Sequence, residues 1–224
     1  MREAVIGRVR RRALALALLS VASIAAATAA SAPGASLTPV FSDGFESGGM
    51  SGYRSVTHSG VQQSLVHAGS WAWRATNPNG TPSYAYHRLP ASYNEVWVEA
   101  WVYLVSHQSS VKLFAVRPVG QRSLDVYVDT RNRVSVRNNI GAVTAYSKTT
   151  MASGGWHRVV LHAVAGDGTG RLDVSVDGVA VPGLSLTGQK LGFLPFGEVR
   201  LGDTATAATF DLILDDIVVS TSVP

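Results

Sequence analysis

From Glu95 to Leu104 the chain reads Glu-Val-Trp-Val-Glu-Ala-Trp-Val-Tyr-Leu. Val96, Val98, Ala100, Val102 and Leu104 occupy every second position, and Trp97, Glu99, Trp101 and Tyr103 fill the places between. Successive side chains of an extended strand point to opposite faces, so this segment presents one aliphatic face and one aromatic-polar face. The same period-two pattern recurs along most of the chain. It predicts strands over Trp71–Thr76, Ser83–Arg88, Glu95–Val105, Val111–Arg117, Leu124–Asp129, Arg133–Arg137, Trp156–Val164, Leu172–Val176, Glu198–Leu201 and Thr209–Ser220. Beyond the N-terminal region no twelve-residue window carries a helical stripe. Asn138–Gly141, Gly166-Asp167-Gly168 and Asp177-Gly178 offer the positive-φ residues that tight hairpins need. With no repeat and no internal boundary, the reading is one antiparallel all-β sandwich.

The N-terminus is of another kind. Arg2, Arg8, Arg10, Arg11 and Arg12 precede an apolar run from Ala13 to about Ala27, and Ala27-Thr28-Ala29 has the small-x-small form of a signal-peptidase site. This predicts a signal peptide over residues 1–29, a flexible Ala/Ser/Pro/Gly lead-in over 30–39 and the folded domain over 40–224. The protein would be secreted, with no membrane insertion of the mature chain, because the apolar run is short and rich in Ala and Ser. Of 19 Lys+Arg and 15 Asp+Glu, the signal segment holds the five arginines and Glu3, so the remaining charges balance. A global pull on nucleic acid or anionic lipid is unsupported. With no cysteine, disulfides and thiolate chemistry are excluded.

Two acidic segments lie near the ends of the mature chain: FSDGFESG from Phe41 to Gly48 and TFDLILDDIVVS from Thr209 to Ser220. Each sets carboxylates in an apolar, strand-like run, where an unpaired charge is costly to bury. The economical arrangement pairs the first and last strands and lets their acids share a cation or hydrogen-bond donors. Together with VHAGSWAWRAT (Val66–Thr76), the Trp-initiated segment Trp156–His162 and the amphipathic Arg171–Gly178, they give a pattern that resembles the concanavalin A-like lectin/glucanase superfamily in its laminin-G-like bacterial branch. The resemblance covers essentially the whole mature chain. It implies an antiparallel jelly-roll β-sandwich with a concave sheet that often carries a ligand, and it leaves activity open. It also implies a structural Ca²⁺ held by Glu46, by carbonyls around His67–Ser70 and by Asp215, with Asp43 and Asp216 as second choices because alternation puts Asp215 and Asp216 on opposite faces. The alternative is that these acids are exposed, or capped by arginine and backbone N–H.

The aromatic-polar face of Glu95–Leu104 has the composition of a sugar platform, since flat rings stack on pyranose C–H faces and a carboxylate accepts hydroxyl protons. Trp97, Glu99, Trp101 and Tyr103 are therefore candidate ligand residues, with Tyr127, from the Asp125/Tyr127/Asp129 stripe, and Arg158. The competing reading makes them structural. No catalytic residue is named. Retaining glycosidases need carboxyls about 5–5.5 Å apart, and the Glu-x-Asp glucanase patterns are missing, as are the signatures of the superfamily's alginate lyases and a His-Glu-x-x-His motif. The function expected from the sequence is a secreted, non-catalytic recognition module that binds a polysaccharide or glycan. The alternatives are an adhesion domain of the same fold and, behind it, a polysaccharide-cleaving enzyme.

Overall fold

A computed structural model describes residues 37–222; the signal-peptide segment and most of the lead-in lie outside the described residues. The described chain is a jelly-roll β-sandwich of two antiparallel sheets. No helix among the described residues is long and apolar enough to cross a membrane.

One sheet has eight strands. Its order is β13 (Val179–Gly192), β12 (Gly166–Val176), β11 (Trp156–Val164), β6 (Glu95–His107), β15 (Phe210–Ser222), β4 (Ala72–Asn77) and β3 (Ser59–Gln62), with β1 (Leu37–Asp43) also on β15. The other has seven, in the order β10 (Val143–Thr150), β9 (Arg133–Asn138), β8 (Leu124–Val128), β7 (Val111–Arg117), β14 (Phe196–Asp203), β5 (Ser83–Tyr93) and β2 (Ser55–Thr57).

The core is what the alternation dictates. Val96, Val98, Ala100, Val102 and Leu104 of β6 are fully buried, facing Val126 and Val128 of β8 and Val199 and Leu201 of β14 within one continuous cluster. Trp73 of β4 is the largest fully buried side chain.

Several expectations need correction. The strand from the first acidic segment begins at Leu37, so the end of the proposed lead-in is ordered sheet. β13 and β10 were not foreseen. β13 carries Pro182, Gly183 and Gly188, which read as loop formers. Gly166-Asp167-Gly168 lies in the connection of the β11–β12 hairpin, beyond the last pair Val164–Arg171, with Gly168 at φ 83°; it also opens β12, whose register against β13 shifts repeatedly. Asp177-Gly178 is the tight turn expected, with both residues at positive φ (53° and 80°).

The ends of the domain meet as the acidic segments required. Leu37–Asp43 pairs antiparallel with Ile217–Ser222. β15 changes partner on one side: Phe210–Leu214 pairs with β4 and Ile217–Ser222 with β1, while β6 runs along its other side. The changeover falls at Asp215 and Asp216. Asp216 has φ 47°, and the β15–β6 register shifts between Asp215 and Val218. This bulge defeats the opposite-face expectation, because both aspartates reach the segment around His67.

Candidate functional site

At the changeover the acids are satisfied by backbone N–H. Asp215 is fully buried; its Oδ2 accepts from the N–H of His67 (2.9 Å) and Ala68 (3.3 Å), and its Oδ1 from the N–H of Asp216 (2.8 Å). Burial, ahead of these opposing hydrogen bonds, pushes the Asp215 carboxyl above its ordinary value, and Asp216 adds to the shift. Glu46 accepts from the N–H of Ser70 (3.0 Å) and Trp71 (3.1 Å), and Asp43 from the N–H of Phe45 (2.7 Å). Asp216 Oδ2 lies 2.7 Å from His67 Nδ1. A Cβ on Gly69 (φ 65°) would collide with the Glu46 carboxyl, so only glycine permits this approach.

This donor set does not fit the calcium arrangement. A hard cation needs oxygens, and here the N–H groups of His67, Ala68, Ser70 and Trp71 point at the Asp215 and Glu46 carboxylates. Among the described residues, no three His, Asp or Glu side chains converge as a metal site. Glu46, Asp43, Asp215 and Asp216 are brought together, as an N–H-capped junction. The expected result in a thermal melt is therefore the same midpoint with EDTA as with millimolar calcium; a midpoint that rises with calcium would mean the segment turns its carbonyls inward to an ion.

The six candidate ligand residues divide between two surfaces. Trp97, Glu99, Trp101, Tyr103 and Arg158 share the outer face of the eight-stranded sheet. There Arg158, opposite Trp101, donates to Glu99 through Nε (2.5 Å) and a terminal nitrogen (2.6 Å). Trp97 stacks on His162 (4.2 Å, 5°), Trp101 stacks on His67 (3.8 Å, 16°) and Tyr103 meets Trp156 edge-on (5.5 Å). These residues are half-buried, with their flat surfaces partly taken by neighbouring rings.

Tyr127 lies on the outer face of the seven-stranded sheet, where sequence reasoning had noted only the β8 stripe. Strand register builds a row across that face: Ser55, Tyr86, Arg200, Ala115, Asp125, Arg137, Thr144. A parallel row runs Lys112, Tyr127, Ser135, Tyr146. The small side chain of Ala115 leaves the centre of the first row low. Arg200, Asp125, Arg137 and Thr144 of this row line a groove of about 630 Å³, joined through Lys112, Asp125, Arg137 and Asp203 to a hollow of about 270 Å³ beside Tyr127. These volumes are of ligand-site size.

Positive charge dominates the groove. Lys112, Arg117, Arg122, Arg137 and Arg200 line it against Asp125 and Asp203. Lys112 Nζ pairs with Asp125 at 3.1 Å, and Arg117 with Glu198 at 2.7 Å. Asp125 also accepts from Ser123 Oγ (2.6 Å) and Asn139 Nδ2 (2.8 Å), and Asp203 from the N–H of Lys112 (3.0 Å) and Ala205 (2.8 Å). Arg117 and Arg200 both lie over the Tyr86 ring, at 5.1 and 5.2 Å from its centre, and Arg137 lies over Tyr127 at 5.1 Å. Arg200 differs from the other cations. It is only 9% exposed and its Nε has no hydrogen-bond partner. Burial, then the nearby Arg117, pushes its guanidinium below its ordinary value. The signal for this site was present in the sequence as charged residues on one face of several strands, Glu198/Arg200 of β14 and Asp125 of β8 among them.

No family model matches the chain, and no curated protein matches it in sequence. Solved structures do match its fold. A conserved carbohydrate esterase from the Shiga toxin-encoding bacteriophage phi24B superposes with a TM-score of 0.60 at 14% identity, covering 84% of this chain and all of that one. The alginate lyase Aly36B gives 0.56 at 12% identity, over 81% of this chain and 96% of the lyase. A sialidase from Trypanosoma rangeli gives 0.54 at 16% identity, over 74% of this chain but only 27% of the sialidase. At these identities the shared property is the β-sandwich itself.

Proposed function

We propose that this protein is a secreted, non-catalytic carbohydrate-recognition domain whose glycan lies along the outer face of the seven-stranded sheet. The observation that carries the reading is the groove in which Lys112, Arg117, Arg122, Arg137 and Arg200 stand beside Asp125, Asp203, Asn139 and Thr144. Donors and acceptors set this closely suit the hydroxyl-rich rim of a sugar. That the structural neighbours include a carbohydrate esterase, an alginate lyase and a sialidase supports the sugar reading. Recognition without cleavage is favoured by how the acids are held. Asp125 and Glu198 are each tied to a cation, which leaves neither carboxylate free to act as nucleophile or proton donor.

Native-gel affinity electrophoresis through a panel of dissolved polysaccharides tests this. At least one glycan should retard the domain, without releasing reducing ends or unsaturated products. Thr144→Trp, which fills the groove from the edge strand β10, should weaken retardation at least about tenfold, or about 1.4 kcal/mol, at an unchanged melting temperature. Trp97→Ala, on the other sheet, should leave retardation intact.

A second reading places the glycan on that other sheet, because Trp97 and Trp101 remain partly exposed there. It predicts the reverse result for the same two variants. An adhesion domain would bind no glycan with either surface.

A further inference from the structure

Resting on the groove reading above, we infer that the ligand is a uronic-acid glycan whose carboxylate is taken by Arg200. Three observations point this way. First, the lining holds five cations against Asp125 and Asp203, and Lys112 and Arg117 are the members paired to a carboxylate across the sheet face. Second, Arg200 sits at the centre of the row, beside Ala115, almost wholly buried with its Nε unpartnered. A guanidinium withdrawn from water gains most from an opposite charge, and its planar fork matches a carboxylate through two parallel hydrogen bonds. The Tyr86 ring beneath Arg200 and Arg117 supports two neighbouring cations that would otherwise repel each other.

Third, the groove is not uniformly basic. Asp125, Asp203 and Asn139 stand among the cations. A sulfated glycan or a nucleic acid carries charge too densely to avoid those aspartates. A uronic-acid polymer alternates one carboxylate per sugar with hydroxyls, and the aspartates and the asparagine accept or donate to hydroxyls. The mixture of signs therefore matches that class of glycan.

The test is affinity electrophoresis of the full mature chain through polygalacturonate, its methyl ester, dextran sulfate and a neutral glucan. Polygalacturonate should retard the domain at least about tenfold more strongly than its ester, the scale of a charge-assisted bidentate pair. Arg200→Gln should remove most of that difference. Should Arg200→Gln fail to fold, the exposed Arg137→Gln should weaken polygalacturonate binding and leave ester binding unchanged. Equal binding of acid and ester, binding of the neutral glucan alone, or full retention of acid selectivity in a folded Arg200→Gln variant would overturn the uronate assignment while the groove reading stands. Dextran sulfate retarding as strongly as polygalacturonate would also overturn it, as simple ion exchange. Retardation by none of the four would overturn the uronate assignment, and the wider polysaccharide panel would then decide the groove reading separately.

Discussion

Asp215→Ala is expected to cost about 3–5 kcal/mol of stability, as removing the acceptor side of a buried network does, whereas Asp215→Asn should cost less, about 1–3 kcal/mol, the effect of leaving one buried donor unsatisfied. The two variants separate the loss of every acceptor from the loss of the charge with one acceptor. Asp215 is fully buried and takes three backbone N–H groups, from His67, Ala68 and Asp216. Alanine leaves those donors in a dry junction with nothing to bond. Asparagine keeps an oxygen toward His67 and Ala68, but its Nδ2 meets the N–H of Asp216 donor to donor, so besides one acceptance it gives up the charge. Losing the charge is cheap, because burial already disfavours the ionised form of this carboxyl. Urea unfolding of both variants measures the difference. Equal costs would mean that the charge, and not the acceptor, holds the junction.

The second large effect is expected at Gly202→Ala, about 2–4 kcal/mol from a left-handed backbone plus overpacking. Gly202 has φ 75°, and a Cβ there would stand 2.4 Å from the carbonyl oxygen of Ser83 and 2.7 Å from the Trp73 ring. The glycine breaks the alternation of β14: Leu201 points into the core, and Asp203 still reaches the groove. Retardation by glycan should therefore fall along with stability. A variant that loses stability and binds normally would show that Asp203 does not need this bend to take its place.

Much of the fold was legible because alternation is local. β6, β7 and β11 have nearly or wholly the bounds that their aliphatic positions predict, and the acidic pair of segments announced that β1 lies on β15. β13 was hidden because its Pro182, Gly183 and Gly188 mimic a loop, while its partner β12 accommodates it through bulges. The groove was hidden for another reason. Each strand shows which residues share a face, but the order β10-β9-β8-β7-β14-β5-β2 decides which faces lie side by side, and that order is set by contacts distant in sequence. Tyr127 and Trp97 carry equivalent signals in their own strands, yet they lie on different sheets. Asp216 shows the limit of the period itself: one residue at φ 47° moved an aspartate that strict alternation would have sent to the other face.

The changing partners of β15 bear on how the protein is made. The strand holding the middle of the eight-stranded sheet, between β6 on one side and β4 with β1 on the other, follows all of its partners in chain order and so leaves the ribosome after them. Until Phe210–Ser222 is synthesised, β6, β4 and β1 have open edges where it belongs, and Leu212, Leu214, Ile217 and Val219 are missing from the core. Such a chain cannot close its sandwich piece by piece during synthesis. Its apolar strands stay open to association until Phe210–Ser222 is available. A chain cut anywhere before Phe210 is expected to aggregate rather than fold as a smaller domain.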